Sequence, residues 1–389
     1  MITSDFNPDI LKTNKGFCVL PFIHLHVNEK NDMKLCCLAN REIGKYNKDF
    51  DFATDPELQK IRQAMLAGER VSDCQNCYNY EDGGADSSRL RETQEWFNHF
   101  KITDPAQMPV ELVYYDIRND NLCNLSCRMC NPQFSSQLAK EYKEIGWYVK
   151  EYPKSFGFTE VVDIKTAKRI YVAGGEPSLL PEFRKFLNLA VENNRTDIEI
   201  RMNTNVTNLN KDYRELLSKF SNLNIVCSVD GHDQINKYIR WPADWNTILE
   251  NIRGLQEITP HICFNITVGI WNISNLSKLV FFLEKEFPGI NVILINQIMY
   301  PPSQMVTAFP DKDVAVADLE LLKETRSYKN DASFKSKVDF YINTIKSTPI
   351  DLASLDEFFK FNDALDQSRG VKLADYIPEL ENCRRYLNQ

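Results

Sequence analysis

The stretch Cys123-Asn124-Leu125-Ser126-Cys127-Arg128-Met129-Cys130 decides how the rest of the chain is read. Its three thiols stand at a C-x3-C-x2-C spacing, just after Val110 to Ile117, a β-branched and aromatic run that reads as a buried strand. A loop leaving a strand end can wrap three thiolates around one iron–sulfur cluster, a group that normally takes four cysteines. One iron then stays open to a small molecule. A structural zinc site with a remote fourth ligand uses the same spacing, so the triplet has to be read together with a partner elsewhere.

That partner is Gly174-Gly175-Glu176-Pro177, directly after a second strand, Arg169 to Ala173. The glycines let backbone approach a ligand closely, and the glutamate can accept hydrogen bonds from an amine. With both motifs in this order, each at a strand end, the chain resembles the radical S-adenosylmethionine (SAM) superfamily. In that family three cysteines hold a 4Fe-4S cluster, SAM chelates the open iron through its amino and carboxylate groups, and a GGEP-like turn binds the amino group. Reductive cleavage of SAM then yields a 5′-deoxyadenosyl radical that abstracts a substrate hydrogen. The resemblance assigns Cys123, Cys127 and Cys130 to the metal and Gly174, Gly175, Glu176 and Pro177 to SAM. One departure is Met129, at a position that is often aromatic in the family.

A length of 389 residues suits one large domain plus a smaller one. The hydrophobic share of 43% and charged share of 26% are ordinary for a soluble globular protein. A net charge of −8 argues against a broad phosphate-binding face, so nucleic acid is disfavoured as a partner. Met1 to Gly16 is polar, and no later apolar run has the length to span a bilayer, so a cytoplasmic protein with no membrane contact is expected. In a reducing compartment, eleven cysteines point to metal or redox chemistry rather than disulfides.

Residues 17 to 37 read as a β-hairpin: Phe17 to Val27 as first arm, Glu29 to Asp32 as turn, Met33 to Cys37 as return. Cys18 lies on the first arm, with Cys36 and Cys37 ending the second. Asp55 to Gly68 reads as a helix with Pro56 in its first turn, and Cys74-Gln75-Asn76-Cys77 follows. Four such thiols can ligate a second cluster or form a four-cysteine zinc ribbon. The segment resembles the SPASM/twitch auxiliary-cluster domains of radical SAM enzymes, although those usually follow the core and this one precedes it. The expected ligands are Cys18, Cys36, Cys74 and Cys77. Cys36 shares the polar face of its strand with Lys34, whereas Cys37 falls with Met33 and Leu35 and is expected in the core. Cys383 is expected to be structural, with replacement of one auxiliary ligand as the other reading. His24 and His26 are either substrate-facing or simply hydrogen-bonded, and Glu81, Gly84, Ser87, Ser88 and Arg89 either line a pocket between the clusters or form a solvated helix start.

From Val110 strands and helices alternate, which argues for parallel β/α units. Strands are predicted at 110–117, 169–173, 197–203, 223–229, 261–268 and 291–297, with helices at 133–146, 181–194, 210–220, 245–258 and 275–286. Six units match the partial (β/α)6 barrel of the superfamily. The expected architecture is therefore an α/β chain with a small auxiliary-cluster domain of β-hairpin and helix at 1–109, the radical SAM barrel at 110–300, and a helical extension at 301–389 expected to cover the open side. Ligands in such barrels bind at the carboxyl ends of the strands, where both motifs lie. The fourth strand ends in Cys227-Ser228-Val229-Asp230-Gly231, with Arg240 after it. By resemblance to a Ser-x-Asp-Gly and Tyr-x-Arg pattern in SPASM-type enzymes, Ser228, Asp230 and Arg240 are further SAM-contact candidates. Glu199, Arg201, Asn203 and Asn205 alternate with apolar residues on the third strand, as do Cys263, Asn265 and Thr267 on the fifth. They should face the barrel interior, either around a polar substrate or as mutually satisfied pairs. Asp116 and Arg118 are further candidates for substrate contact.

The reaction implied is hydrogen abstraction with SAM, two 4Fe-4S clusters and an external electron donor such as flavodoxin or ferredoxin. A peptide or protein side chain is the leading substrate class, undergoing crosslinking, dehydrogenation or epimerisation. A small polar metabolite (sugar, nucleotide or amino acid) is the alternative, and a non-catalytic zinc-binding scaffold is a third reading. No general base or hydrogen donor is identifiable from the sequence.

Overall fold

The computed structural model describes residues 14–83, 86–118, 120–150 and 157–388. A one-turn helix, Leu20–Ile23, leads into β1 (His24–Val27), which turns back through β2 (Asp32–Lys34) to the short β3 (Gly44–Lys45). Helices α1 (Pro56–Leu66), α2 (Gln75–Asp82) and α3 (Ser88–Phe100) follow. Strand and helix then alternate as β4 (Tyr114–Ile117), α4 (Ser136–Glu144), β5 (Arg169–Val172), α5 (Pro181–Glu192), β6 (Glu199–Thr204), α6 (Lys211–Leu217) and β7 (Leu223–Ser228). The series continues with α7 (Gln234–Ile239), α8 (Trp245–Gln256), β8 (Ile262–Val268), α9 (Leu276–Glu286) and β9 (Ile293–Gln297). Helices α10 (Lys312–Leu321), α11 (Arg326–Asn330), α12 (Ala332–Ser347) and α13 (Leu352–Arg369) complete the main elements.

All the strands belong to one sheet, in the order β3-β2-β1-β4-β5-β6-β7-β8-β9. The run from β4 to β9 is parallel and supplies the six expected barrel strands. The first is shorter than expected because Glu111 and Val113 donate to the carbonyls of Phe22 and Ile23, beside the helical turn instead of an extended partner. That turn also replaces the first half of the expected hairpin arm, with Pro21 near its start, where a missing N–H costs nothing.

The expected boundary at 109/110 does not interrupt the sheet. β1 pairs in parallel with β4, placing His26 beside Asp116 and Val27 beside Ile117. The N-terminal segment nevertheless has its own apolar core, in which Phe17, Phe22, Leu58, Ile61, Met65, Tyr78, Trp96 and Phe97 are buried together. It is built onto the barrel and packed within itself.

Alternation along the strands sorts the two sheet faces. Ile262, Phe264, Ile266 and Val268 are buried against the helices, while Cys263, Asn265 and Thr267 are half-buried on the lumen side. The lowest lumen layer holds Tyr114, Arg169 and Glu199, and the next holds His26, Asp116, Tyr171 and Arg201. Helix α3 closes the bottom. Its Glu92 and Glu95 pair with Arg169, whose Nε donates to Glu199 at 2.6 Å, and Arg201 Nη2 donates to Glu95 at 2.6 Å. The polar lower lumen is thus largely satisfied within the protein. At the other edge, α12 packs along β9, where the Tyr341 hydroxyl donates to the Ile295 carbonyl at 3.4 Å and Lys337 Nζ to Asn296 Oδ1 at 2.9 Å. Among the described residues no helix is long and apolar enough to cross a membrane.

Replacing Arg169 with Met would leave Glu92, Glu95 and Glu199 with Arg201 as the cation they share in a half-buried layer. Urea denaturation of the metal-free protein at neutral pH should show a loss of about 3 kcal/mol, the usual cost of removing one partner from a buried pair.

Candidate active site

The cysteine loop 123–130 leaves the carboxyl end of β4 and is suspended from two directions. In front, the Ser126 and Arg128 amides donate to the carbonyls of Trp241 (2.6 Å) and Ile239 (2.8 Å). Behind it lies α13. Arg128, which the sequence did not single out, has no exposed surface; its guanidinium sits 3.7 Å over the Tyr238 ring, and its Nε donates to the Tyr238 carbonyl at 2.9 Å. Its remaining donors reach Asn362 Oδ1 (3.0 Å) and the Asp366 carboxylate, to which the Tyr238 hydroxyl also donates at 2.8 Å. Arg369 donates to Glu141 through Nε and Nη2, both at 2.8 Å, and to the Ser126 carbonyl at 2.7 Å. The C-terminal helix therefore fixes the loop from the outside while the loop's thiols face inward.

Burial raises all three of these thiols above the ordinary range, with Cys130 pushed up to about 11, while the guanidinium of Arg240 opposes the shift. Arg240 is held by Asp230, which accepts from its Nε at 2.6 Å and from the Thr267 amide at 2.7 Å. Asp230 is completely buried, and burial lifts its carboxyl against the lowering effect of Arg240. It orients Arg240, which is the member of the pair beside the thiols. Ser228 is half-buried at the end of β7, opposite Asn265, on the lumen side. Asn205, beyond the end of β6, points its Nδ2 at Cys123 Sγ, 3.9 Å away.

The Gly-Gly turn packs directly on the entry to the cysteine loop. Gly174 and Gly175 have φ of +84° and +56°, and a Cβ on Gly175 would stand 2.5 Å from the Leu122 carbonyl oxygen. Only glycine fits that approach. The Glu176 amide donates to the same carbonyl at 2.8 Å. Its carboxylate is buried, with Oε1 accepting from the Ser178 amide (3.2 Å) and hydroxyl (2.7 Å) and the Thr204 hydroxyl (2.7 Å), and Oε2 from the Asn205 amide (2.6 Å). These contacts tie the turn after β5 to the end of β6 and hold the carboxylate in place. Pro177 is buried at the start of the following 3-10 turn.

The second thiol set lies at the opposite end of the barrel. Cys18 precedes β1 and Cys36 follows the antiparallel β2, so both sit at the amino ends of the barrel strands, where the start of α2 brings Cys74 and Cys77. Cys18, Cys74 and Cys77 are buried and Cys36 half-buried. Burial, reinforced by neighbouring thiols of the same set, raises Cys18 and Cys36 well above the ordinary value and Cys74 to about 12. The opposing cation is Arg89, buried, with Nε 2.9 Å from Glu81 Oε1 and Nη1 donating to the Phe17 carbonyl. The segment read as either a pocket lining or a solvated helix start thus supplies a buried ion pair; Gly84 lies outside the described residues.

Cys37 is not in the core. It is exposed, and the charged groups acting on it are Asp116, Arg118 and Glu92, so it opens onto the barrel lumen. Cys383 is buried near Asp311 and Arg385 with its thiol 3.4 Å from the Glu379 carbonyl, in the C-terminal segment. His24 and His26 are buried rather than exposed. His24 Nδ1 lies 2.9 Å from the Leu35 carbonyl, and burial pushes its pKa down to about 4; His26 Nδ1 lies 2.9 Å from Asp116 Oδ2.

Several desolvated thiols in one place favour a group that binds them as thiolates and brings positive charge, which is what iron–sulfur clusters and zinc do. Both sets fit such a group in donor chemistry, and each has a guanidinium held in place beside it. Among the described residues no three His, Cys, Asp or Glu side chains close to the spacing of a single-ion site.

Compared with known proteins, residues 121–283 match the Radical SAM superfamily. A comparison with curated proteins gives no match. Among solved structures, native anSMEcpe with bound AdoMet aligns at TM-score 0.41 and 16% identity over 58% of this chain and 62% of that one. Streptococcus suis SuiB bound to S-adenosylmethionine aligns at 0.36 and 17% over 61% and 49%, and HemN, the coproporphyrinogen III oxidase from Escherichia coli, at 0.34 and 12% over 60% and 52%. The chain thus spans about three fifths of the length of anSMEcpe, at 62%.

Substituting Arg128 by Met should strip Asp366 of its cationic partner and loosen the cysteine loop. Chemical denaturation should register a loss of about 3 kcal/mol, and in reconstituted protein a chelator should remove iron from the loop several-fold faster than in the wild type.

Proposed function

From the premise that this chain carries a radical SAM domain over residues 121–283, we propose that it is a hydrogen-abstracting enzyme acting on a peptide or protein side chain, with an iron–sulfur cluster at each end of the barrel. The observation that carries this reading is the placement of two sets of buried or half-buried cysteines at opposite ends of one polar lumen, with Cys123, Cys127 and Cys130 at the carboxyl ends of the strands and Cys18, Cys36, Cys74 and Cys77 at the amino ends.

The upper group, when bound with SAM and reduced, supplies cleavage to the 5′-deoxyadenosyl radical. The chain's own residues do the rest. Asp230 holds Arg240 against the thiols, where the guanidinium offsets their negative charge and leaves further N–H donors for a SAM carboxylate. The tight approach of Gly175 to Leu122 sets the turn beside the cysteine loop, so backbone groups of Gly174 and Gly175 offer the contacts to the SAM amine. Ser228, half-buried on the lumen side at the end of β7, would offer its hydroxyl to SAM. At the lower end Glu81 and Arg89 do for the second thiol set what Asp230 and Arg240 do for the first. A fourth thiolate there leaves that group no open corner, so electron transfer suits it better than substrate ligation, which favours a net oxidation such as crosslinking or dehydrogenation.

Anaerobically reconstituted protein should bind roughly eight irons per chain, as two cubes require. Replacing Cys127 with Ala should halve the iron and remove the SAM-induced change in the electron paramagnetic resonance spectrum of the reduced protein. Replacing Cys74 with Ala should leave that SAM response in place. A Cys127 variant that still responds to SAM would defeat the proposal, and zinc in place of iron at the lower set would remove its oxidative part.

A further inference from the structure

Among the described residues three arginines, Arg118, Arg169 and Arg201, belong to the layers of the lumen, and they differ in what their donors reach. Arg169 and Arg201 in the lower layers are engaged by Glu92, Glu95 and Glu199. Arg118, one layer above Asp116 on the same face of β4, has only a long contact of 3.5 Å from its Nε to Asp116 Oδ1. Among the described residues its two Nη nitrogens make no hydrogen bond, and the side chain keeps 23% of its surface exposed. The other oxygen of Asp116 lies 2.9 Å from His26 Nδ1. The root of the arginine is fixed, since the position of a Cβ on Gly174 is 3.3 Å from Arg118 Cβ. Arg118 thus borders the Gly-Gly turn at its root, and its guanidinium reaches toward Asp116.

Resting on the reading above that the lumen between the two thiol sets receives the substrate, we propose that Arg118 is the carboxylate-binding residue of that lumen, anchoring a carboxylate of the substrate through its two Nη groups. A planar guanidinium with two parallel free donors matches a carboxylate in bidentate fashion, and partial desolvation strengthens the pair. The exposed part of the guanidinium is open to water that a ligand carboxylate would displace. Asp116 and His26 act through Arg118, fixing its Nε side so that the Nη edge faces inward. The substrate class is thereby narrowed to molecules carrying a carboxylate near the reacting carbon, either a peptide terminus or an acidic side chain.

The test is arginine-selective labelling of the full, reconstituted protein with phenylglyoxal, mapped by mass spectrometry, with exposed Arg253 as internal standard. N-acetylglycine presents a terminal carboxylate, N-acetylaspartate α-amide a side-chain carboxylate, and N-acetylglycinamide none. Arg118 should be modified, and one or both carboxylates should slow its labelling several-fold relative to Arg253 while the amide does not. The better protector tells which source of carboxylate fits. Three results would overturn the assignment: Arg118 left unmodified, protection equal with the amide, or protection absent. Full protection by SAM alone would place the cofactor's own carboxylate there and overturn it as well. The labelling requires no SAM cleavage, so its outcome and that of the SAM titration are independent.

Discussion

Withdrawing ionisable thiols from water is the constraint around which the rest of this structure is arranged. Burial opposes the thiolate form, and neighbouring thiols of the same set oppose it further. Each set is answered in the same way, with an arginine fixed by a carboxylate on its far side: Arg240 by Asp230 above, Arg89 by Glu81 below. The carboxylate cannot move the arginine's charge away from the thiols, because its own remaining bonds pin it. Asp230 is locked to the Thr267 amide, and Arg89 also donates to the Phe17 carbonyl. Such pairs contribute little to stability by themselves, and their value here is a directed positive charge in a dry place.

Between the two sites the lumen changes character with height. In the lower layers arginines and glutamates largely satisfy one another, with α3 contributing two of the carboxylates and sealing the floor. Higher up the pairing becomes incomplete, and the arginine nearest the Gly-Gly turn keeps donors to spare. The floor is thus closed by internal ion pairs, while the layers above carry polar groups with fewer partners among the described residues.

The cysteine loop itself is short and carries few apolar anchors, so its position depends on what lies behind it. Backbone pairing to Ile239 and Trp241 ties it to the segment that carries Arg240, and Arg128 ties it to α13. One buried guanidinium therefore joins the cysteine loop, the segment carrying Arg240 and α13. The C-terminal helices, which alternate apolar residues without any chemical motif, belong to the site by this route.

The alternation of apolar and polar residues was enough to locate the six parallel strands and their helices, because period and face are local properties of a chain. It also put Cys123, Cys127, Cys130 and the Gly-Gly turn at strand ends. What the sequence could not contain is which strand lies beside which: the parallel pairing of β1 with β4 joins His26 to Asp116, 90 residues apart in the numbering, and nothing local announces it. The same holds for Arg128 and Asp366, 238 residues apart, and for Cys37, whose strand-face assignment to the core failed because β2 ends at Lys34 and alternation no longer applies beyond it. The partners of Glu176 on the next strand, Thr204 and Asn205, are not legible in the sequence because they arrive only when β6 packs beside β5. Residue type and spacing determined the donors available for chemistry; packing between distant segments decided which of those donors were already used and which were left for a ligand.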